Sequence, residues 1–496
     1  MNAISKNQLK SWADLFVKIY TSVVLLYQTL WQIAPVQVFL CETGLDAISP
    51  MLAVLGFVFL VFDFFLERTI IQSKYCVFLV AVIVITGISS LLYIDYGWVE
   101  NAKIIVFQLV QMFLLYSMYL RMDSNEIKTY LGRIFGIVSI IFMTAVIISL
   151  YQFFAQISYT VQLDGGACRQ GFQDGRLFGI FANVNHASLL ICFMGGGAIY
   201  CLFLLHKKWL KAVMGVQAVL SMLYVVMTGT RSTLVCMISV AALCAFVGIR
   251  NLVYKNNIFK SNCKRVLCAI GVAVICAGML LGTYLGVHKL LAKIPVWIGT
   301  ADTQTNNGEP GDISEIPGRF DTHSGDISNN RFKIWANYIR CDFSNIKSAL
   351  FGYSPGNYMK IIKDNFPDIY IVQYAKEKFP DAYREGNIYA THNSYLVLLT
   401  GAGVIGFVVM GAFVVLSGLR VLKCFIKRKI ISKYTTLLMA ILVAFLIFIV
   451  FESVIFYSYT WISVIFWLIL GFMAKEMDIL EANTDMAADK DKGTEN

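Results

Sequence analysis

The chain has 496 residues, of which 58% are hydrophobic and 15% are charged. Soluble domains carry about a quarter charged residues, so this composition indicates a membrane protein with several spans and excludes an ordinary soluble enzyme. The formal net charge of +10 reflects how Lys and Arg are distributed around those spans, and it does not indicate nucleic-acid binding.

Apolar stretches of about 20 residues recur along the chain, and this length crosses the hydrocarbon core of a bilayer as an α-helix. We therefore predict an all-α polytopic membrane protein with about twelve transmembrane helices. Long apolar runs, instead of alternation with period two, exclude a membrane β-barrel. The predicted spans are 14–34, 49–66, 76–93, 103–120, 134–156, 186–205, 209–228, 232–249, 266–287, 394–418, 434–452 and 455–474.

The basic residues predict the orientation. With a cytoplasmic N-terminus, 25 of the 41 Lys and Arg residues lie on the inner side and four lie in the short outer loops. The other twelve fall in one long loop, and long loops are exempt from the positive-inside rule. Both termini are therefore predicted to be cytoplasmic, and the long loop is predicted to be extracytoplasmic at the cell membrane.

The chain divides into four predicted segments. Spans one to nine occupy 1–287, a large outer loop occupies 288–393, spans ten to twelve occupy 394–474, and a disordered cytoplasmic tail occupies 475–496. Within the loop, a mobile stretch rich in Gly, Asp, Asn and Ser precedes an amphipathic helix that begins at Arg331.

Arg231 is the first candidate functional residue. It lies in a tight outer turn that also contains Thr230 and Ser232, in a short loop of the kind that avoids positive charge. A guanidinium group at the start of a span offers a planar set of donors for phosphate oxygens, and the free N–H groups of the helix add to the same potential. The alternative is an interfacial arginine that reaches toward lipid headgroups.

Three further polar positions lie at the predicted outer face. Arg331 begins the loop helix, although a solvated arginine is the alternative. His392 precedes the tenth span, where a neutral imidazole could accept a proton from a hydroxyl group or could have no role. Asn183 and Asn185, followed by His186, begin the sixth span and could bind a ligand or simply cap the helix.

Metal chemistry and disulfide bonding have little support. Asp321, His323 and Asp326 could contact a cation but lie in the predicted mobile stretch. We therefore predict no metal and no cofactor. The twelve cysteines show no CxxC spacing and are interpreted as buried small hydrophobic residues, although Cys168 and Cys341 both fall on the outer side and could pair.

Four patches, in this order, resemble the O-antigen ligase and polysaccharide polymerase superfamily of GT-C membrane glycosyltransferases. They are Gly179-Ile-Phe-Ala-Asn183-Val-Asn185, Thr228-Gly-Thr-Arg231-Ser232, Arg331 with Trp335 and the following Phe351-Gly352-Tyr-Ser-Pro-Gly356, and His392-Asn393-Ser-Tyr-Leu396. The chain departs from the family pattern at Val184, where Pro is usual, and at Ser232, where Gly is usual.

The resemblance implies transfer of a glycan from an undecaprenyl diphosphate carrier to an acceptor hydroxyl on a glycan or lipid-linked glycan, without a metal and with inversion. It implies that Arg231 and Arg331 hold the diphosphate and that His392 assists or positions the acceptor. It also makes polysaccharide export machinery a candidate partner, beside the membrane lipid itself. The substrate contacts that it implies are Arg176, Asn183, Asn185, Thr230, Ser232, Trp335, Gly352, Gly356 and Asn393.

Three alternatives remain open at this stage. A polymerase that joins repeat units shares the donor chemistry of a ligase. A transporter or flippase would instead predict inverted repeats and broken spans near the midplane, and neither is evident in the sequence. A non-catalytic membrane scaffold or sensor would leave the outer Arg and His residues unexplained.

Overall fold

The computed structural model describes residues 6–66, 71–163, 166–300 and 330–493. Within these ranges the chain forms α-helices and one small sheet. The helices before residue 300 are α1 (Lys6–Leu30), α2 (Ala34–Glu42), α3 (Ile48–Leu66), α4 (Cys76–Leu92), α5 (Val99–Leu109), α6 (Ser124–Phe154), α7 (Val184–Leu202), α8 (Lys208–Thr228), α9 (Arg231–Lys255) and α10 (Asn262–Trp297). The later ones are α11 (Arg331–Asp342), α12 (Ile346–Phe351), α13 (Tyr358–Asn365), α14 (Tyr370–Lys378), α15 (Pro380–Arg384), α16 (Ser394–Lys427), α17 (Lys433–Phe448) and α18 (Trp461–Gly493).

Eight helical segments in the described ranges are long and apolar enough to cross a membrane. They contain α3, α5 with its π- and 3-10-helical continuation to Arg121, α6 to α10, and α16. The helices α4 and α17 are apolar but shorter, and α1 and α18 coincide with the first and last predicted spans without belonging to the eight. The helical membrane class is confirmed, whereas the number twelve stays a prediction.

Two helices extend beyond their predicted ends. Helix α10 continues to Trp297 instead of ending at 287, so the outer segment begins later than predicted. Helix α18 continues to Gly493, although the sequence analysis predicts disorder from residue 475. Arg420 of α16 explains the beginning of this extension, because its guanidinium group donates to Asp478 at 2.5 Å and to Glu481 at 2.7 Å.

The polar segment between α6 and α7 forms a three-stranded antiparallel sheet, which the all-α prediction missed. The strands are β1 (Ser158–Leu163), β2 (Gly166–Gln173) and β3 (Arg176–Gly179), in that order. After β3 the chain pairs with the end of α1, since Ala182 N donates to Gln32 O and Ala34 N donates to Ile180 O. The sheet therefore holds the segment between Arg176 and the start of α7 against the outer ends of the helices.

Helices α11 to α15 form a helical unit with its own apolar core around Ile334, Tyr338 and Cys341. The thiols of Cys341 and Cys168 are both free, so these two residues do not form the disulfide considered above. The predicted helix from Arg331 to Ile339 is confirmed and continues to Asp342. Three short helices, α13 to α15, follow between Tyr358 and Arg384.

Polar contacts join this helical unit to the membrane helices. We call α11 to α15 the outer unit, because they lie in the segment that the sequence predicts to be outside. Asn101 Oδ1 of α5 accepts from Ser354 Oγ at 2.7 Å and from Gly356 N at 2.9 Å. A Cβ atom at Gly356 would lie 2.8 Å from the backbone of Glu100, and one at Gly352 would lie 2.5 Å from Thr400 O. The glycines of the Phe351–Gly356 turn therefore allow close backbone approach to α5 and α16.

Asp342, at the end of α11, is buried, and Thr400 Oγ1 of α16 donates to its Oδ2 at 2.9 Å. Burial raises the pKa of Asp342 to about 7, and the bond from Thr400 only partly opposes this. Between about pH 4 and about pH 7 the folded protein thus keeps a proton that the unfolded chain loses. The contribution of Asp342 to the free energy of unfolding is therefore fully present below about pH 4. As the pH rises to 7, this contribution declines by on the order of 4 kcal/mol.

We predict that Asp342→Asn, which resembles the protonated acid, removes this decline. Thermal unfolding in detergent should show the variant gaining stability relative to the wild type when the pH is changed from 5 to 8. Asp368→Asn, at an exposed position of the same unit, is the matched control and should follow the wild type. The same pH dependence in wild type and Asp342→Asn would contradict the protonation of Asp342.

Candidate active site

A buried carboxylate, Glu452, lies at the centre of a cluster of polar residues near the starts of α7, α11 and α16. It follows the end of α17 and is 4% exposed. Its Oε1 accepts from Asn185 Nδ2 at 2.8 Å and faces Arg331 Nη2 at 3.4 Å. Its Oε2 lies 3.6 Å from His392 Nδ1 and 3.9 Å from His186 Nε2. One carboxylate thus gathers side chains from α7, from α11 and from the segment before α16.

The charges around Glu452 keep it ionised. Burial alone would raise the pKa of this carboxyl, but His392, His186 and Arg331 together hold that pKa below its usual value. A carboxylate in such a position attracts a positive charge on a neighbouring side chain. The arrangement can therefore stabilise a positive charge that develops on His392.

The backbone around His392 is held in place at several points. His392 has a φ of 47°, a left-handed conformation that costs a non-glycine residue on the order of 1–3 kcal/mol. Trp335 Nε1 of α11 donates to Thr391 O at 3.0 Å, immediately before it. Asn393 Oδ1, immediately after it, accepts from the N–H groups of Tyr395 and Leu396 and caps α16. The surrounding contacts impose the strained conformation and aim the imidazole at Glu452.

The start of α7 supplies the amide side of the site. Asn183 is the N-cap of α7, because its Oδ1 accepts from the N–H groups of Asn185 and His186. The contacts of Asn183 are therefore those of a helix cap, which is the simpler of the two interpretations that the sequence allows. Asn185 has a different role, since its Nδ2 donates to Glu452 and its Oδ1 accepts from Arg176 Nη2 at 3.0 Å.

Arg176 of β3 joins this cluster to the Thr228–Ser232 turn. In addition to Asn185, its guanidinium group donates to Thr228 O at 2.9 Å and to Thr230 Oγ1 at 3.2 Å. Gly229 ends α8 with a φ of 57°, and α9 begins at Arg231, as the sequence analysis expected. Arg231 is half-buried beside a turn whose other polar side chains, Thr230 and Ser232, are buried.

The predicted residues thus fall into two groups. Arg331, His392, Asn185 and Arg176 are joined through Glu452 and Asn185, and Arg231 adjoins this network through Thr230. Most of the other residues predicted to bind substrate make structural contacts, and the binding roles of all these residues stay predictions. Those with structural contacts are Asn183 and Asn393 as helix caps, Trp335 as a support for the His392 segment, and Gly352 and Gly356 at close backbone approaches.

Glu452 is not among the site residues predicted from the sequence. Its partners are 60, 121 and 267 positions away, so no local pattern indicates them. The available signal was the presence of a carboxylate at the outer end of an apolar run, because ionisable residues in such a position are usually paired or functional. Asp63, a second buried carboxylate in an apolar run, pairs with Arg121, which also donates to Asp14 at 2.8 Å.

Among the described residues, no group of three or more His, Cys, Asp and Glu side chains has the arrangement of a metal site. The alternative cation ligands Asp321, His323 and Asp326 lie outside the described residues.

Residues 216–411 match the family model of O-antigen ligase. The chain contains an O-antigen ligase domain. The resemblance noted in the sequence is confirmed for these residues. This O-antigen ligase domain includes Arg231, Arg331 and His392, whereas Arg176, Asn185 and Glu452 lie outside the matched range. A search of curated proteins finds no match to the chain.

The match over residues 216–411, together with the apolar helices, supports a membrane protein related to the O-antigen ligases and polymerases of polysaccharide biosynthesis. The residues that complete the polar cluster are contributed by segments on both sides of residues 216–411. The sheet and α7 supply Arg176 and Asn185, and the connection between α17 and α18 supplies Glu452.

Ser394 attaches the Glu452 segment to the start of α16. Its Oγ donates to Glu452 O at 2.7 Å and accepts from Val454 N at 3.0 Å and Ile455 N at 3.4 Å. Its own backbone N donates to Ile449 O at 2.8 Å. A single hydroxyl group therefore satisfies two buried donors and one acceptor around the central carboxylate.

We predict that Ser394→Ala lowers the free energy of unfolding by roughly 1–3 kcal/mol, because it leaves these backbone groups unsatisfied in a buried place. Thermal unfolding in detergent measures the loss. Ser417→Ala, a half-buried serine of the same helix, is the control and should stay near the wild-type midpoint. Equal midpoints for the two variants would show that the Ser394 hydroxyl does not support the segment.

Proposed function

We propose that the protein is a membrane glycosyltransferase of the O-antigen ligase type, which moves a glycan from undecaprenyl diphosphate to an acceptor hydroxyl. The observation that carries the proposal is the convergence of Arg331 and His392 on buried Glu452. A general base, its orienting carboxylate and a phosphate-binding group are the parts that this transfer requires.

We place the reaction at the outer face of the cytoplasmic membrane. Support comes from the basic residues of the chain ends and connections opposite the site, such as Lys207, Lys208 and Lys429, which the positive-inside rule assigns to the cytoplasm. The site, at the other ends of the same helices, then faces outward together with α11 to α15. Both termini are cytoplasmic in this orientation.

In the proposed reaction, the acceptor oxygen attacks the anomeric carbon while the bond from that carbon to the diphosphate oxygen breaks. The acceptor proton passes to His392 Nε2, because Nδ1 is turned toward Glu452. Glu452 keeps the imidazole oriented and stabilises the imidazolium that forms, as the carboxylate of a catalytic triad does. Attack from the side opposite the leaving group inverts the anomeric centre.

The departing diphosphate carries negative charge that must be balanced. We propose that Arg331 and Arg231 balance it in place of a divalent cation, since preorganised guanidinium groups are suited to this in a site of low dielectric. Before the donor binds, Arg331 is held by Glu452 and lies over the Phe451 ring at 5.5 Å. Arg231 adds its charge to the N-terminus of α9.

We predict that Arg331→Ala and Arg231→Ala each lower kcat by roughly 10²–10³, because each removes charge stabilisation of a few kcal/mol in the transition state. Arg→Lys should restore little of the rate, since an ammonium group cannot form the same paired contacts. The measurement is glycan transfer by purified protein with a defined lipid-linked donor, with and without EDTA.

Arg340→Ala, at an exposed position of α11, is the matched control and should retain wild-type turnover. Wild-type rates for both site variants would refute the diphosphate role, and inhibition by EDTA would refute metal independence. Supplying a core glycan or a repeat unit as acceptor distinguishes a ligase from a polymerase. Movement of the donor across a membrane without any transfer would instead identify a flippase.

The pair formed by His392 and Glu452 gives a separate prediction. We expect His392→Ala to lower kcat by roughly 10²–10⁴, the usual contribution of a general base. Glu452→Gln should lower kcat with little change in KM, because the amide can still accept from Asn185 but cannot stabilise an imidazolium. The pH profile should change in this variant as well.

Glu385→Gln, at an exposed position of the outer unit, is the control for the removal of a negative charge. If Glu452→Gln changed only the thermal midpoint and left kcat and the pH profile intact, Glu452 would be structural. Unchanged turnover of His392→Ala between pH 6 and 8 would exclude His392 as the base.

A further inference from the structure

A large cavity lies among the membrane-spanning helices, away from the polar cluster. It has a volume of about 730 Å³ and is lined mainly by α7, α8, α9 and α17. Its walls are apolar, with Phe193, Met222, Val240 and Leu437 among them. A volume of this size lies within the range of roughly 300–1,000 Å³ that is usual for cavities holding small organic ligands.

The cavity is separated from the candidate active site by a packed layer. In this layer Ser188 and Thr233 share a hydrogen bond of 2.5 Å, and Cys236 Sγ donates to Ala444 O at 3.3 Å. At about 1.5 Å of rise per residue, the cavity wall on α7 begins about 10 Å from Asn185 and continues to about 27 Å, at Phe203. The cavity therefore occupies the half of the membrane opposite the site.

The cavity opens toward lipid. Ile199 and Phe203, on its α7 wall, are 50% and 68% exposed although both are large and apolar. Gly196 and Gly248 widen the opening, since a Cβ atom at either would meet no atom within 4 Å. An apolar opening at this depth faces hydrocarbon, so its occupant enters from the bilayer.

The end of the cavity nearest the membrane boundary is positively charged. Lys433 is the one charged residue among the described residues that line it, and its Nζ lies 5.1 Å from the centre of the Phe203 ring. Lys207 and Lys208 follow a few residues after Phe203 and are exposed. The nearby carboxylate of Glu476 accepts from Thr435 Oγ1 at 2.6 Å behind α17 and does not line the cavity.

We infer that this cavity binds an acyl chain of an anionic glycerophospholipid from the cytoplasmic leaflet, with the headgroup against Lys433. The apolar walls can pack against the acyl chain, and the lateral opening admits it from the bilayer. The lysines attract a negatively charged headgroup. The inference rests on the proposed orientation of the protein but not on the proposed reaction. The polyprenyl chain of the donor is the alternative occupant. It is disfavoured because the packed layer separates the cavity from the candidate active site, where the diphosphate of the donor would bind.

The test measures lipid retained by purified, delipidated protein after exposure to each of three lipids in detergent, with mass spectrometry as the readout. The lipids are phosphatidylglycerol, phosphatidylcholine with the same chains, and undecaprenyl phosphate. We expect retention of phosphatidylglycerol above the other two, with a loss of roughly tenfold in Gly196→Leu and in Gly248→Leu, whose new side chains fill the opening. Lys433→Ala should abolish the preference for the anionic headgroup.

Gly271→Leu in α10 is the matched control, because its Cβ also meets open space but the residue does not line the cavity. It should retain lipid as the wild type does. His392→Ala should also retain lipid, because it removes the proposed general base and leaves the cavity unchanged, so it shows whether lipid binding is independent of the reaction. Undiminished retention in both filled variants would overturn the proposal. Equal retention of phosphatidylcholine, or preferential retention of undecaprenyl phosphate, would overturn the choice of lipid.

Discussion

The site depends on one buried negative charge. Removing Glu452 from water is costly, and the cost is offset only if its oxygens receive strong partners. An amide, a guanidinium group and two imidazoles provide them. Asn185 and His186 lie in the first turn of α7, whereas Arg331 begins α11 and His392 precedes α16. The requirement to satisfy this carboxylate therefore draws α7, α11 and the start of α16 together at one place.

The contacts of α11, including its ion pair with Glu452, also fix the orientation of α11 to α15 on the membrane helices. Helix α11 contributes Arg331 at its first turn and Asp342 at its last, and Thr400 of α16 holds the latter. The helix is therefore attached to Glu452 at its first turn, to the segment before α16 through Trp335, and to α16 at its last turn. The outer unit is thus fixed in register with the helix that follows the candidate base.

Features with a local signal could be predicted from the sequence. Apolar runs revealed the spans, amphipathic spacing revealed α11, and Gly229 with Arg231 marked the end of α8 and the start of α9. Features that depend on long-range pairing could not be predicted. The strands β1 to β3 are short and rich in Gly and polar residues, and their pairing depends on contact with α1 and α6. The role of Glu452 depends on partners that only the folded chain brings near.

The left-handed backbone conformation of His392 affects which substitutions would stabilise the chain at this position. Glycine adopts a φ of 47° without penalty, and asparagine tolerates it better than most residues. Replacements of that kind would relax the local conformation while deleting the imidazole. Under the proposed reaction they would give a more stable but inactive protein, so stability and activity would favour different residues at this position.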